Sequence, residues 1–342
     1  METVSFGRTG LKVSKLCFGT MTIGSSKWKP WVLDEADAQP LLKRCLDLGI
    51  TFFDTANWYS TGASERVVAA SLTSMVPRDQ LVLATKAYYP MSDDPNDRGL
   101  SRKHLLSSVD ASLRRMGTDY IDLFVIHAFD PGTPIEETME ALHNIVRSGK
   151  VRYLGASTMF AWQFEQMNHV ARQNGWTPFV SMQNHVNLLY REEEREMIPL
   201  CEDQGVGLIP WSPLARGRLA RAWDESTVRS ETDGFGKTLY RQHVEADRAT
   251  IEAVGEIAEA RGVERASVAL AWQYSKPAMV APIVGATKPG HIAAAVAATQ
   301  LELSEDEIAR LEAPYLPKNP VGVESTVAGD LELTLRGDSE RS

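Results

Sequence analysis

Short apolar segments alternate with helix-like segments along almost the whole chain, and this alternation limits the fold more than any other feature. Eight segments are predicted to be strands, and most are near-continuous apolar runs, which is typical of parallel strands covered on both faces. These candidate strands lie at residues 15–19, 51–54, 81–86, 120–127, 151–157, 179–184, 206–211 and 279–285. A glycine directly follows six of the intervening helix candidates, at a position where helices often end. Eight such units predict a (β/α)8 barrel, the TIM-barrel class of α/β fold.

The chain shows no internal boundary, so we expect a single barrel domain over residues 1–342. Its core would span about residues 3–317, followed by a polar C-terminal tail over residues 318–342 that is expected to fray. Residues 4–6 and 12–14 predict an N-terminal β-hairpin, which could plug the bottom of the barrel.

Two helices are predicted most clearly, over residues 101–116 and 134–148. The first has apolar side chains at helical spacing, and the second opens with proline, which suits a first turn. Residues 214–245 are instead polar and aperiodic, and a stretch of this length in a compact domain is usually functional or disordered. The charged run REEER at residues 191–195 is most simply a solvated helix start.

The charge balance disfavours nucleic-acid and membrane partners. Lys and Arg number 36 against 45 Asp and Glu, which gives a net charge of −9, whereas nucleic acids and anionic membranes bind positive surfaces. No stretch approaches the roughly 18 apolar residues of a membrane span, and the first residues lack the apolar run of a signal peptide.

The cysteine pattern indicates a reducing environment. Cys17, Cys45 and Cys201 are widely spaced and contain no CxxC pair, so they supply neither a disulfide framework nor a cysteine-rich zinc site. We therefore expect a cytoplasmic protein. The histidines show no metal-binding spacing, and no metal site is expected.

Polar side chains of particular kinds occur where the predicted strands end. Asp54 ends the second strand, Tyr59 follows in its loop, Lys86 ends the third strand and His127 ends the fourth. Each has a structural alternative, as a cap, a solvated lysine, a core histidine or a packing tyrosine. Together the four residues are stronger evidence for a catalytic site, because the C-terminal ends of adjacent barrel strands form one rim.

This set of side chains suits the reduction of a carbonyl group. The ammonium of Lys86 would lower the pKa of the Tyr59 phenol from about 10 and make it a general acid. Asp54 would pair with Lys86, and His127 would donate a hydrogen bond to the carbonyl oxygen. Since no side chain supplies a hydride, the reaction needs a cofactor.

The chain resembles the aldo-keto reductase family over roughly residues 3–317. The motifs that carry the resemblance include GRTGLKVSKLCFGTM, FFDTANWYSTGASE, LATK, DYIDLFVIH, GKVRYLGAS, SMQNHVNLLYREEERE, PWSPLARGRL and PIVGATKP. The family's catalytic tetrad falls on Asp54, Tyr59, Lys86 and His127. The second half is most similar to the bacterial and fungal branch of the family.

The resemblance implies a (β/α)8 barrel that binds NADP(H) across the strand ends without a Rossmann fold. Ser157 and Gln183 would hold the carboxamide beside Asp54, and Trp211 would stack on the nicotinamide. The remaining cofactor contacts implied by the resemblance are Gly19, Thr20 and Met21 near the ribose, Ser212, Leu214, Arg216 and Gly217 at the pyrophosphate, and Gly285, Thr287, Lys288 and His291 near the 2′-phosphate. The segment up to about Tyr240 would fold over the cofactor.

The sequence departs from the family pattern at several positions. Val186, Ala128 and Thr158 replace the residues that are common there, and Ala294 and Ala295 stand where many members carry polar adenine contacts. Thr158 and the two alanines weaken an assignment of NADPH over NADH, while the tetrad is complete.

The expected substrate is a small aldehyde or ketone. Five aromatic residues in the rim loops are candidates for an apolar or aromatic substrate pocket: Trp28, Trp58, Tyr88, Tyr89 and Phe129. An alternative function is a cofactor-binding regulatory subunit of the same fold with little turnover. The sequence does not define an oligomeric state.

Overall fold

The structure, a computed structural model, describes residues 1–323 and contains a two-stranded sheet and an eight-stranded sheet. The hairpin strands β1 (Thr3–Ser5) and β2 (Lys12–Ser14) are antiparallel. The eight-stranded sheet consists of β3 (Cys17–Gly19), β4 (Phe52–Asp54), β5 (Val82–Ala87), β6 (Ile121–Ile126), β7 (Val151–Ser157), β8 (Ser181–Gln183), β9 (Gly207–Leu208) and β10 (Ile283–Val284). These are the eight predicted strands.

The eight strands form a closed parallel barrel in chain order. Each strand from β3 to β8 pairs with the next, and β10 pairs with β3. Backbone hydrogen bonds close the remaining gap: the amide of Leu208 donates to the carbonyl of Ala278, and the amide of Val280 donates back to Leu208, each at 2.9 Å. The predicted (β/α)8 barrel with an N-terminal hairpin is confirmed.

Helices surround the barrel. They are α1 (Glu35–Asp47), α2 (Ala63–Thr73), α3 (Arg102–Met116), α4 (Ile135–Arg147), α5 (Ala161–Gln173), α6 (Met197–Gln204), α7 (Val228–Thr232), α8 (Gly234–Leu239), α9 (Val244–Arg261), α10 (Arg265–Tyr274), α11 (Pro289–Ala298) and α12 (Glu305–Glu312). The predicted helices at 101–116 and 134–148 correspond to α3 and α4 within one residue at each end. Along residues 1–323, no helix is long and apolar enough to cross a membrane.

The hairpin closes the N-terminal end of the barrel, as the sequence predicts. Phe6, directly after β1, is fully buried and packs edge-on against Phe52 of β4, with ring centroids 5.8 Å apart. The amide of Arg8 donates to the carbonyl of Gly205, just before β9. A side chain at Gly7 would collide with this carbonyl, so the tight approach requires glycine. With this end filled, a ligand can reach the barrel only from the C-terminal ends of the strands.

The last two barrel strands are shorter than predicted. The sequence suggests 206–211 and 279–285, whereas β9 and β10 each contain two residues. Both predicted segments contain a proline, Pro210 and Pro282, and proline has no amide hydrogen for the ladder. The apolar character of these segments reflects burial in the barrel rather than continuous pairing.

The aperiodic stretch at 214–245 is ordered. It contains a short 3-10 turn at Ala215–Ala220 and the short helices α7 and α8, and it leads into α9. Several of its side chains face the C-terminal opening of the barrel. Of the two alternatives left by the sequence, the functional one is therefore favoured.

The first part of the expected polar tail packs against the barrel. Lys318 is buried and its ammonium lies 2.6 Å from the Asp247 carboxylate, while Val321 and Val323 are also buried. The expectation of a frayed tail is thus wrong for residues 318–323, because an ion pair and two apolar side chains hold them. The rest of the predicted tail, 324–342, lies outside the described residues.

The charged run at 191–195 is not simply solvated, in contrast to the expectation from sequence. Glu192 accepts hydrogen bonds from the Tyr315 hydroxyl at 2.6 Å and from the Lys318 amide at 2.8 Å. Glu194 pairs with Arg191 and with Lys276. Glu192 therefore binds the C-terminal segment to the barrel, and Glu194 binds Lys276 just after α10. Both contacts depend on partners more than 80 residues away in the sequence.

Candidate active site

A cavity of about 1150 Å³ opens at the C-terminal ends of the barrel strands. Asp54, Tyr59 and His127 contribute to its wall, and Lys86 lies directly behind them with no exposed surface. The four residues predicted from the strand ends are therefore brought together at one place. They come from β4, the loop after it, β5 and the residue after β6, because parallel strands present their C-terminal ends at the same rim.

The three N–H donors of the Lys86 ammonium are all engaged. The nitrogen lies 2.6 Å from Asp54 Oδ2, 2.8 Å from the Thr55 carbonyl oxygen and 3.2 Å from the Tyr59 hydroxyl. An ammonium has three donors, so none remains for a ligand. Lys86 consequently acts on a bound molecule only through Tyr59.

Asp54 is held on its other side as well. Its Oδ1 accepts a hydrogen bond from the Gln183 amide nitrogen at 3.0 Å. The Asp54 side chain is only 3% exposed, and its partner Lys86 is fully buried. Burying a charged pair costs desolvation free energy that is recovered only when the remaining polar atoms are hydrogen-bonded, as they are here.

The electrostatic balance at Tyr59 differs from the expectation. Burial raises the pKa of Tyr59 above its ordinary value of 10, and the nearby Lys86 ammonium offsets only part of that effect. The predicted lowering of this pKa is therefore wrong, because desolvation of the phenolate outweighs the attraction of one cation that is already paired with Asp54. Tyr59 stays protonated at neutral pH and can serve as a proton donor.

Lys86 itself stays charged. Although burial disfavours its cation, the Asp54 carboxylate and the Tyr59 hydroxyl together raise the pKa of Lys86 above its ordinary value. The cation also lies over the Tyr59 ring, 4.8 Å from its centroid. A permanent positive charge beside the phenol stabilises the negative charge that develops when Tyr59 gives up its proton.

His127 is a neutral imidazole. Burial and the nearby Lys86 cation lower its pKa well below the ordinary value. Its ring lies edge-on to those of Tyr59 and Tyr89, with centroids 5.9 and 4.8 Å away. Among the described residues its Nδ1 atom has no hydrogen-bond partner. A neutral imidazole still has one N–H donor, which suits it to orient a carbonyl oxygen.

A left-handed turn fixes the position of Tyr59. Ser60 and Thr61, which follow it, have φ values of 49° and 51°, a conformation that costs free energy for residues with a side chain. The Ser60 hydroxyl oxygen accepts a hydrogen bond from the Ser25 amide. A Cβ atom at position 24 would lie only 2.5 Å from this oxygen, which is a steric clash. The glycine therefore leaves room for the turn that directs Tyr59 into the cavity.

The residues that the sequence predicts for NADP(H) all contribute to the cavity wall. They are Gly19, Thr20, Met21, Asp54, Ser157, Gln183, Trp211, Ser212, Leu214, Arg216, Gly217, Gly285, Thr287, Lys288 and His291. The predicted carboxamide ligands lie beside the tetrad, while Lys288 and His291 are exposed residues at the start of α11.

The wall fits a nicotinamide dinucleotide in its donor chemistry. The Trp211 indole nitrogen and the Arg216 Nε atom are buried, and neither has a hydrogen-bond partner within residues 1–323. Both are donors, and buried donors normally have partners. Together with the exposed Lys288, they favour an anionic ligand with acceptor atoms.

Three aromatic rings are stacked behind one side of the cavity. Trp211 lies parallel to His185, with centroids 4.1 Å apart, and His185 lies parallel to Tyr190 at 4.4 Å. The His185 Nε2 atom is 2.9 Å from the hydroxyl of Tyr240, which belongs to the aperiodic stretch. The stack holds the orientation of Trp211, whose ring forms part of the cavity wall.

The five aromatic residues predicted for a substrate pocket are not equally placed. Trp58 and Tyr89 form part of the wall, with ring centroids 5.4 Å apart. Trp28 packs against Trp58, Tyr88 packs against Tyr89, and Phe129 packs near Trp162, and none of these three belongs to the wall. Trp28 and Tyr88 thus support wall residues from behind, whereas Phe129 contacts the exposed Trp162.

Several wall residues were not predicted from the sequence, and Trp31, Arg229 and Phe235 are the cationic and aromatic examples that matter most here. Trp31 follows Trp28 by three residues, and spacing alone does not tell which of two loop aromatics faces a cavity. Arg229 and Phe235 lie in the aperiodic stretch, which sequence analysis marked as a whole without selecting residues. A cation or aromatic within such a stretch is the only signal that could have pointed to them.

Comparison with known proteins agrees with the geometry. The model of the "Aldo/keto reductase family" matches residues 15–315. A versiconal hemiacetal acetate reductase of Aspergillus parasiticus is 46% identical, covering 93% of this chain and 98% of its own. An aldo-keto reductase of Metarhizium robertsii is 45% identical, covering 94% and 93%. A putative aryl-alcohol dehydrogenase of Schizosaccharomyces pombe is 44% identical, covering 91% and 95%.

Proposed function

The chain belongs to the aldo-keto reductase family, and from this premise we propose that it reduces aldehyde or ketone carbonyls to alcohols with NADPH. Membership of this family and the similarity to named reductases support an oxidoreductase acting on small carbonyl compounds. The observation that carries the finer proposal is the buried Asp54–Lys86–Tyr59 chain, which ends with the Tyr59 hydroxyl at the cavity.

Each residue of the tetrad has a distinct part in the proposed reaction. Tyr59 donates its proton to the carbonyl oxygen, and the Lys86 cation stabilises the phenolate that remains. Asp54 holds Lys86 in position and keeps it charged. His127 donates a hydrogen bond that orients the carbonyl oxygen toward Tyr59. NADPH, when bound, supplies the hydride to the carbonyl carbon.

The choice of NADP(H) is supported by the positive character of the cavity wall. Arg216 and Lys288 are wall residues, and His291 lies three residues after Lys288 at the start of α11. In the proposed complex, Trp211 packs on the nicotinamide, Ser157 and Gln183 bind its carboxamide, and Lys288 contacts the 2′-phosphate. Ala294 and Ala295 also lie in the wall, so the adenine would be held there by apolar contact.

The proposed substrates are carbonyl compounds with an aromatic or apolar group. Trp58 and Tyr89 lie in the wall near His127, and flat apolar groups pack well against such rings. The relative from Schizosaccharomyces pombe is named as a putative aryl-alcohol dehydrogenase, which also supports an aromatic substrate. We also propose a cytoplasmic location and a small-molecule carbonyl substrate, with no nucleic-acid or membrane partner. Three free, buried cysteines are consistent with a reducing environment.

NADPH consumption tests the proposal directly. The purified protein should oxidise NADPH when it is given nitrobenzaldehydes or quinones, and the alcohol product should appear in equal amount. Binding of NADPH without any turnover across this panel would contradict the proposal and favour a regulatory, cofactor-binding role.

A further inference from the structure

A carboxylate on α2 is completely buried outside the cavity. The Glu65 side chain has no exposed surface, and it lies in the first turn of the helix that follows the Tyr59–Gly62 turn. Burying a carboxylate costs free energy unless its oxygens are paired or hydrogen-bonded, and here both are. The Thr85 hydroxyl donates to Oε1 at 2.6 Å, and the Arg115 guanidinium pairs with Oε2. Glu65 thus connects α2 with β5 and α3.

Through Thr85, Glu65 is fixed to the strand that carries Lys86. Thr85 and Lys86 are adjacent on β5, and successive side chains of a strand point to opposite faces. The Lys86 ammonium accordingly meets Tyr59 on the inner face, whereas the Thr85 hydroxyl meets α2 on the outer face. The buried Thr85 hydroxyl needs an acceptor, which an apolar side chain at position 65 would not provide.

Through Arg115, the same carboxylate is fixed to the turn that carries Tyr59. This turn ends at Gly62, which has φ 86° and is also the N-cap of α2. A Cβ atom at position 62 would lie 2.6 Å from the Arg115 Cδ atom, so the arginine side chain packs directly against the turn. Its guanidinium also donates to the Ser112 hydroxyl at 3.2 Å, which holds it along α3.

Buried hydroxyl groups fix the start of α2 to two other strands. The Ser64 hydroxyl donates to the Thr20 carbonyl at 3.0 Å, and the Thr55 hydroxyl donates to the Ser64 hydroxyl at 3.1 Å. Thr20 directly follows β3 and Thr55 directly follows β4. The first turn of α2 is therefore set against β3 and β4 by Ser64, and against β5 by Glu65.

We propose that Glu65 and Arg115 are positioning residues that hold β5 and the Tyr59–Gly62 turn at a fixed separation. Across this separation the Lys86 cation meets the Tyr59 hydroxyl at 3.2 Å. Stability alone does not explain the pair, because apolar side chains in place of a buried ion pair are often equally stable. The inference rests on the proposed function, in which Tyr59 donates its proton beside Lys86. Neither positioning residue belongs to the cavity wall, so binding should not depend on them.

Steady-state kinetics of Arg115→Met test the role of the pair. This variant leaves the Glu65 carboxylate buried without its cation, which should displace α2 against β5. We expect kcat for a nitrobenzaldehyde to fall by at least about tenfold, since a displacement of about 1 Å can cost about 100-fold in rate. The KM for the aldehyde and the dissociation constant of NADPH should stay unchanged. Arg115→Lys, which keeps the charge, should recover part of kcat.

A double variant separates positioning from stability. Arg115→Met/Glu65→Leu contains no unpaired charge, so urea unfolding should show that it recovers part of the stability lost in Arg115→Met. Its kcat should stay low, because Thr85 and the Tyr59–Gly62 turn have both lost their polar partner. Recovery of kcat together with stability would contradict the positioning role.

Arg78→Met is the matched control. Arg78 pairs with Asp122 at 2.7 Å, and this largely buried pair lies where β5 and β6 begin, at the opposite end of the barrel from the tetrad. Its loss should also destabilise the protein, but kcat should equal that of the unmodified protein. An equal fall of kcat in Arg78→Met and Arg115→Met would mean that general destabilisation causes the effect, and the inference would be wrong.

A spectroscopic measurement keeps the inference separate from the proposed function. The carbon-13 NMR signal of the Tyr59 ring carbon that carries the hydroxyl, assigned with Tyr59→Phe, senses the distance of the Lys86 cation. It should change in Arg115→Met and not in Arg78→Met. An unchanged signal and an unchanged kcat in Arg115→Met would overturn the inference, while reduction by the unmodified protein would still support the function. If the unmodified protein reduced no carbonyl, the function would be contradicted, and a changed Tyr59 signal would still support the positioning role.

Discussion

The imidazole of His185 lies parallel to the indole of Trp211, with 4.1 Å between ring centroids and 6° between ring planes. Burial and nearby cations lower the pKa of His185 well below its ordinary value, so the ring that supports Trp211 is neutral. One face of Trp211 is therefore covered by a fixed aromatic ring, while the residue remains part of the cavity wall. This arrangement fits a platform for a flat ligand.

Cofactor binding should quench the fluorescence of Trp211. The chain contains eight tryptophans, so the assignment depends on the variant Trp211→Phe, in which most of the quench on adding NADPH should disappear. Trp162→Phe is the control, because Trp162 is 60% exposed and is not a wall residue. If the quench persists in Trp211→Phe, the platform is not where the nicotinamide binds.

Tyr59→Phe should lower the rate of carbonyl reduction by at least about 100-fold, the scale of general acid catalysis. The substitution keeps the ring and removes the proton, so NADPH should still bind with its usual affinity. Tyr120→Phe provides a control: Tyr120 directly precedes β6, at the opposite end of the barrel, and should show unchanged turnover. Near-normal reduction by Tyr59→Phe would remove this residue from the mechanism.

The pH dependence of reduction should follow the raised pKa of Tyr59. A general acid is active below its pKa, and burial raises this pKa above 10, so the proton should be available throughout the neutral range. We expect kcat to be flat between about pH 6 and 9 and to fall only at more alkaline pH. A decline in kcat centred near neutral pH would show that the phenol titrates much lower than its environment implies.

Breaking the buried ion pair should destabilise the protein. Lys86→Met leaves the Asp54 carboxylate buried without its cation, and loss of one partner of a buried pair costs about 3–5 kcal/mol in free energy of unfolding. Urea unfolding measures this loss. The double variant Lys86→Met/Asp54→Asn should recover part of it, because the unpaired charge is gone. Equal stability of the single and double variants would mean that the pair does not act as a unit.

We expect the cofactor preference to depend on Lys288, an exposed residue at the N-cap of α11. We expect NADPH to bind at least about tenfold more tightly than NADH, since a charge-assisted phosphate contact contributes about 1.5–3 kcal/mol. Lys288→Ala should reduce this ratio mainly by weakening NADPH, and added salt should act in the same direction.

Lys43→Ala is the matched control for Lys288→Ala, because Lys43 pairs with Asp47 on the surface of α1. Its ratio of NADPH to NADH affinity should equal that of the unmodified protein. Equal binding of the two cofactors by the unmodified protein would contradict the assignment of NADP(H).

The sequence by itself determined the barrel and which polar residues meet at the C-terminal ends of its strands. Strands such as β5 and β6 are buried along their whole length, so their apolar runs are a local signal. Asp54, Lys86 and His127 could be found because each is a polar residue at the end of such a run. Parallel strands in a barrel then place these ends together without further information.

Only the tertiary structure decided how the parts act on one another. The pKa of Tyr59 is raised rather than lowered because burial, which sequence does not reveal, outweighs the charge of Lys86. Residues 318–323 pack against the barrel because Lys318 forms an ion pair with Asp247, 71 residues away in the sequence. Trp31, not Trp28, reaches the cavity and meets Arg229 from a distant segment. Desolvation and contacts between remote residues arise only when the chain is folded, so no local sequence pattern predicts them.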